Sequence, residues 1–300
     1  MRLRMKVKKT LKRIFDRVTD VAATFCGLAL LFLTLQVTTL ASFCIPTESM
    51  TPTLIPGDCI LVEKWTMGGR IFDIYEAAAG KDVEIKRLPA LGKIERNDVL
   101  VFNFPYPKSW DSLGLDVRKY YVKRCVSLPG DTFSIENVRN QISGYDKSLG
   151  NVEGQTDLKY LLERSDEDSL FVSMRAYPLN DSIPWTIKDF GPFYIPKKGT
   201  SIIMNPHNVI LYRNVIEWEQ KKSLYIKGDS ILLGDSLITD YRFKENYYFT
   251  AGDHVMNSQD SRYWGLLPEP FIVGRAIYIW KSVHPVTEKV RWDRIMKRIE

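Results

Sequence analysis

The chain has 300 residues, 45% of them hydrophobic and 26% charged, with 18 Gly and 15 Pro. That composition excludes whole-chain disorder and collagen-like or linker-like architecture. Its net charge of +6 is concentrated: Arg2, Arg4, Lys6, Lys8, Lys9, Lys12, Arg13 and Arg17 stand against Asp16 alone, and the rest of the chain sums to −1. A nucleic-acid-binding surface needs a distributed basic patch, so nucleic acid is excluded as a partner.

This basic stub, residues 1–17, is followed by a run from Val21 to Thr47 without a charged residue. About 20 mostly apolar residues suffice for a helix to cross a bilayer. The run also exceeds the ~7–15-residue apolar region of a cleaved signal peptide. Phe43, standing before Cys44, is too large for a lipoprotein cleavage site. The pattern predicts one transmembrane anchor over residues 18–43, with its basic flank in the cytoplasm by the positive-inside rule.

Beyond the anchor the chain reads mainly as strands. Cys59–Lys64, Val99–Phe104, Tyr120–Val126, Asn208–Arg213 and Phe271–Trp280 are short and rich in β-branched and aromatic residues. Turn residues bound them: Pro56-Gly57-Asp58, Asn97-Asp98, Pro129-Gly130-Asp131 and Gly252-Asp253. An antiparallel β architecture follows. Residues 66–94 read as an excursion with a helix-friendly patch at 75–79. Residues 141–192 are polar, with a helix expected at 156–165. The basic end, Lys289–Glu300, places Trp292, Ile295, Met296 and Ile299 on one helical face. Such a tail either docks against the body, which we expect, or lies on lipid.

Three strings carry chemistry. Ser49-Met50-Thr51-Pro52-Thr53-Leu54 follows the membrane boundary, and a serine in a Pro-rich loop is ordinarily a turn former. Tyr121-Val122-Lys123-Arg124-Cys125-Val126 sets a lysine inside an apolar strand, where lysine is rare unless paired or snorkelling. The third string is Gly252-Asp253-His254-Val255-Met256-Asn257-Ser258-Gln259-Asp260-Ser261-Arg262.

Together, in this order and behind one anchor, these strings resemble bacterial type I signal peptidase (leader peptidase), over roughly residues 18–65, 95–133 and 247–282. The resemblance implies a mainly β fold: an antiparallel catalytic core, residues 44–133 and 247–285, with residues 134–246 inserted as a second β-containing region and 286–300 as a tail. It implies a serine endopeptidase, monomeric and free of metal and cofactor, in the bacterial inner (cytoplasmic) membrane. Its partners would be exported preproteins and the phospholipid membrane, and its active site would lie on the outer face.

Residue by residue, the resemblance makes Ser49 the nucleophile and Lys123 the general base of a Ser/Lys dyad. Lys123 must be neutral to take the serine proton, so its pKa must fall far below the usual ~10.4. Burial can supply ~3–5 units of that depression. Arg124 falls on the opposite face of the strand if residues alternate. The Thr47 hydroxyl and the Ser49 N–H would form the oxyanion hole. Ser258 would orient the lysine amine, with Tyr121, Asp260 and Arg262 as support. Phe43, Ile45, Met50, Leu54, Tyr121 and Val122 would line shallow pockets for small side chains one and three positions before the cut.

His254 stands where the family has Asn, and it opens a rival: Ser49, His254 and Asp253 or Asp260 in a Ser-His-Asp arrangement. A third class is a catalytically altered paralogue acting as a membrane-anchored binding or assembly module. The three exported cysteines, Cys44, Cys59 and Cys125, leave one unpaired. Cys44–Cys59 could bridge if the first two exported strands pair, and buried thiols are an equal alternative.

Overall fold

The computed structural model describes residues 2–81, 83–107, 109–164 and 175–300. Met1 of the basic stub, residue 165 of the expected helix and part of the polar 141–192 stretch lie outside them.

Helix α1 runs from Arg2 to Thr38, and its Lys12–Thr34 segment is long and apolar enough to cross a membrane. No part of the span's apolar window is buried against protein, the condition of a helix whose solvent is lipid. The chain leaves the helix earlier than expected. Residues 40–43, assigned to the anchor from hydropathy, belong to strand β1 (Leu40–Cys44). Hydropathy alone cannot separate the end of an apolar helix from an apolar strand that follows it.

A seven-stranded antiparallel sheet forms the body. Its strands are β1, β2 (Asp58–Glu63), β3 (Val99–Asn103), β4 (Tyr120–Ser127), β5 (Tyr247–Ala251), β6 (Leu267–Pro268) and β7 (Ile272–Ser282). Their order is β1-β2-β7-β3-β4-β5-β6. Central β3 is buried on both faces, and its alternation divides the core. Val99 and Val101 join a cluster with Met50, Leu54, Ile60 and Val62, whereas Leu100 and Phe102 join a larger cluster with Phe133 and Phe249 that extends into the insertion through Phe190 and Phe193. The insertion therefore shares its core with the sheet, and the strand Thr132–Glu136 straddles the expected boundary at 133/134.

In the insertion, that strand pairs with Arg139–Ile142 and Phe190–Tyr194. Helix α2 spans Val152–Arg164, close to the expected 156–165. The expected strand at Asn208–Arg213 is instead part of helix α3 (Pro206–Gln220). Asn205 caps it by accepting from the Asn208 N–H, Pro206 occupies its first turn, and Val209, Tyr212, Val215 and Ile216 are buried. Those spacings are helical, and a six-residue window was too short to reveal them. Within 66–94 the helix-friendly patch forms one short helix, Ile74–Ala78, capped by Asp73.

The tail docks on the body but not as an amphipathic helix. It is extended apart from one 3₁₀ turn at Trp292–Arg294, and it pairs with β7: Met296 N–H donates to Ile279 O and Ile299 N–H to Ile277 O. Ile299 packs into the Met50–Leu54 cluster, while Trp292 and Met296 remain exposed. Buried Asp58 holds the tail in place. Its carboxylate accepts from Arg294, Ser282 Oγ and the Ile55 N–H, so the tail is clamped to the loop that carries Ser49.

Candidate active site

Residues 45–57 connect β1 to β2 as a loop fixed at both ends. Cys44 and Cys59 are cross-strand partners and form a disulfide. Ile45 N–H donates to Asp58 O, and Gly57 N–H returns to Ile45 O. Gly57 has φ 91°, and a Cβ there would lie 1.9 Å from Val283 O, so only glycine fits. Inside the loop, Leu54 N–H donates to Met50 O, and both side chains are buried, Leu54 at 0% and Met50 at 1% exposure. With its following residue pinned in the core, Ser49 is held half-buried at the surface of the body.

Lys123 lies on β4 opposite Leu100 and is 4% exposed. Its Nζ is 2.6 Å from Ser49 Oγ and donates to Val122 O at 3.1 Å. The Tyr121 ring, stacked on Phe104, lies 5.4 Å from the amine. Burial lowers the lysine pKa to about 8; Asp260 pulls it up, and Arg262 pushes it down again. Asp260 and Arg262 are themselves a buried ion pair at 2.8 Å, so their opposed fields largely offset one another at the amine. Desolvation decides the outcome.

Arg124 points to the other face of β4. It makes a buried pair with Asp253 at 2.6 Å and also donates to Thr53 Oγ1, Asn97 O and Glu300 O. The role of Asp253 as its partner was missed in the sequence. The available signal was two adjacent basic residues on an apolar strand, each of which must find compensation if buried.

The remaining expected site residues fall as follows. Thr47 is exposed, with its Oγ1 3.5 Å from Ser49 Oγ, and the Ser49 N–H has no acceptor among the described residues. Ser258 Oγ is buried beside Asp260, whose pKa it helps to lower, and makes no hydrogen bond to Lys123 among the described residues. Gly252 explains how close this loop comes: a Cβ there would lie 2.0 Å from Ser258 Oγ and 2.5 Å from Ser49 O. Tyr121 donates its hydroxyl to Gln259 Oε1. Asp260 receives the Gly252 N–H and fixes the loop's return. Of the expected pocket residues, Phe43, Tyr121 and Val122 are partly exposed, whereas Ile45, Met50 and Leu54 are core.

The His254 arrangement is not assembled. The His254 backbone N–H donates to Ser49 O, but its ring Nδ1 is buried without a partner. Asp253 is engaged by Arg124 and Asp260 by Arg262, so neither carboxylate orients the imidazole. No group of three or more metal-ligating side chains occurs among the described residues. A cleft of about 670 Å³ lined by residues 77–81, Pro107, Leu113, Arg118, Asn214 and Trp218 includes neither Ser49 nor Lys123.

A desolvated lysine against a serine hydroxyl, on a β body behind one membrane helix, is the constellation of a membrane-anchored serine hydrolase whose base is an amine. The profile of the family described as signal peptidase, peptidase S26, matches residues 18–281, and the chain belongs to that family. It is 30% identical over 253 residues to a signal peptidase I of Buchnera aphidicola subsp. Schizaphis graminum, covering 80% of this chain and 67% of that protein. A signal peptidase I of Buchnera aphidicola subsp. Baizongia pistaciae is 24% identical, with 92% and 80% covered. A solved signal peptidase I from Enterococcus faecalis V583 is 19% identical over 62% of this chain and 98% of its own, at a TM-score of 0.29, too loose a superposition to carry an argument.

The chain is a membrane serine endopeptidase that removes signal peptides through a Ser/Lys dyad. Its transmembrane helix, the one such helix among the described residues, leaves a large extracytoplasmic β domain.

Proposed function

We propose that Ser49 and Lys123 are the two members of the dyad. The observation that carries this assignment is the 2.6 Å approach of Nζ to Oγ in a niche that holds the amine pKa near 8. When the amine is neutral, the Ser49 hydroxyl donates to Nζ, and Oγ attacks the scissile carbonyl as its proton transfers. Thr47 Oγ1–H and the Ser49 N–H bind the oxyanion, supported by the unengaged Ser49 N–H and the nearby threonine hydroxyl. The ammonium form of Lys123 then protonates the leaving amine. Water, deprotonated by the same lysine, hydrolyses the acyl-enzyme. Ser258, buried on the loop that returns to the site, is the partner that orients the amine once Oγ is acylated.

The substrate is the cleavage region of an exported preprotein, bound extended along the free edge of β1, which leads directly into the Ser49 loop. Phe43, Tyr121 and Val122 form the walls that select small side chains at the positions one and three before the cut, and Ile45, Met50 and Leu54 form the floor. The test is incubation of the detergent-solubilised chain with a model preprotein, the cut located by mass spectrometry. Ser49→Ala and Lys123→Ala should each reduce cleavage to background while the domain stays folded. Substantial turnover by either variant, or loss of turnover only in His254→Ala, overturns the assignment.

A further inference from the structure

Lys119 stands just before β4, and the Phe104 N–H donates to its carbonyl, so the β3–β4 ladder extends to it. Alternation then sets Lys119, Tyr121 and Lys123 on one face. Two rings fix the exposed end of that row. The Lys119 ammonium lies 4.5 Å from the Phe104 ring centroid and 5.6 Å from that of Tyr121, and the two rings are stacked on each other. Cation–π attraction of this kind holds an exposed ammonium in place without neutralising it. Lys119 makes no ion pair with a carboxylate among the described residues, and the carboxylate of nearby Asp116 accepts from the Arg118 N–H.

Two contacts give the row a direction. The Phe43 ring of β1 meets the Tyr120 ring at 4.9 Å, and farther along both stretches Ser49 Oγ meets Lys123 Nζ. Residues 43–49 and 120–123 therefore run side by side the same way. Lys119 lies on the side from which β1 arrives, the side of α1. β4 is also open here: its pairing with β5 begins only at Arg124, which leaves residues 120–123 with β3 as their one partner strand among the described residues. A signal peptide whose apolar segment lies in the bilayer enters from the side of α1, so the residues before its cleavage site pass Lys119. Lys119 and Lys123 are about 13 Å apart along the strand at ~3.3 Å per residue, the reach of four extended substrate residues.

We propose that Lys119 is a specificity-determining residue: its ammonium reads the charge of the signal-peptide side chain four or five positions before the cut, favouring a carboxylate and rejecting lysine or arginine. The ammonium cannot swing away from a like charge without leaving two aromatic faces, so the repulsion is felt by the substrate. The walls around Phe43 and Val122 select size; Lys119 selects sign. This inference rests on the dyad and the substrate path proposed above.

The experiment gives the full chain, in a nonionic detergent, three competing model preprotein peptides that differ only in carrying Glu, Gln or Lys, placed in turn at the fourth and fifth positions before the cut. Product ratios read by mass spectrometry give relative kcat/KM. The parent protein should prefer Glu to Gln and Gln to Lys, each step about two- to fivefold, the size of a solvent-exposed charge pair. The spread should collapse in 1 M NaCl, where charges are screened beyond about 3 Å. Lys119→Met keeps the stem over Phe104 and should bring the ratios near one, and Lys119→Glu should invert the order. Ratios near one in the parent, or an unchanged order in Lys119→Glu, overturn the proposal. Ratios that respond instead to the same charges placed four residues after the cut overturn it by reversing the path. A defect of Lys119→Met that appears only on adding phosphatidylglycerol and ignores peptide charge also overturns it, assigning the ammonium to lipid. The Gln peptide tests the underlying reading separately: its turnover by Ser49→Ala would overturn the dyad, and this inference with it.

Discussion

Lys123 Nζ and Ser49 Oγ lie 2.6 Å apart although 74 residues separate them in the chain. Only the amine's burial distinguishes this pair from an ordinary surface lysine beside a serine, and burial lowers its pKa to about 8. The rate should depend on that value. Below it Lys123 is an ammonium and cannot accept the serine proton, so kcat/KM should fall about tenfold per pH unit and level off above pH 8. A pH–rate profile on a soluble peptide measures this, and a flat profile from pH 6 to 10 contradicts it.

The same burial costs stability. Because the folded value of about 8 lies below the usual 10.5, the unfolded chain binds more protons between those limits. Stability from this group is therefore fully present above pH 10.5, declines as pH falls through 8, and stays at its minimum below. Lys123→Met keeps the volume and removes the charge. It should abolish cleavage yet raise stability at pH 7 by up to a few kcal/mol, at about 1.4 kcal/mol per pKa unit. Denaturant midpoints at pH 7 and pH 10 should show the gain mainly at pH 7.

Gly252 sits where Ser258 and the Ser49 backbone converge. In Gly252→Ala the new methyl would meet Ser49 O at 2.5 Å, and backbone must shift. If Ser49 is the nucleophile as proposed, displacing it by about 1 Å should cost on the order of 10²-fold in kcat. Active-site titration with a serine-reactive probe alongside thermal unfolding separates that loss from simple unfolding.

The Cys44–Cys59 disulfide closes the loop that carries Ser49, with a sequence separation of 15. Cys44→Ser/Cys59→Ser should destabilise the exported domain by about 3 kcal/mol, the chain-entropy value for a loop of that length. Chemical denaturation of the two forms measures it, and equal midpoints would show that β1–β2 pairing alone fixes the loop.

Asp58 is buried, and burial favours its protonated form; Arg294, the Ile55 N–H and Ser282 Oγ overcome this and hold its pKa below the ordinary value. Its stabilising contribution is present above the unfolded carboxylate pKa and is lost as pH falls through the depressed folded value. Arg294→Met leaves only Arg291, at 3.5 Å, near that carboxylate. The loss should approach the lower end of the ~3–5 kcal/mol typical of breaking a buried pair. The midpoint of acid unfolding should move to higher pH, which circular dichroism reads directly.

The sequence by itself determined the anchor, the β character of the body and the three strings that meet at the site. Charge-free length and period-two alternation are local properties, and in 99–103 alternation even sorts Val99 and Val101 from Leu100 and Phe102. Local reading failed where the period needed a longer window, as in α3, and where backbone pairing overrode side-chain pattern, as in the tail drawn out along β7. Only the tertiary structure decided which buried charges compensate one another: Asp253 takes Arg124, Asp260 takes Arg262, and Asp58 takes Arg294. Those pairings leave Lys123 as a buried cation with no carboxylate hydrogen-bonded to it among the described residues, because its neighbours' charges are already spent on each other. The reason is physical: spacing along a chain says which groups exist, but desolvation and Coulomb energy depend on distances that only the folded sheet sets.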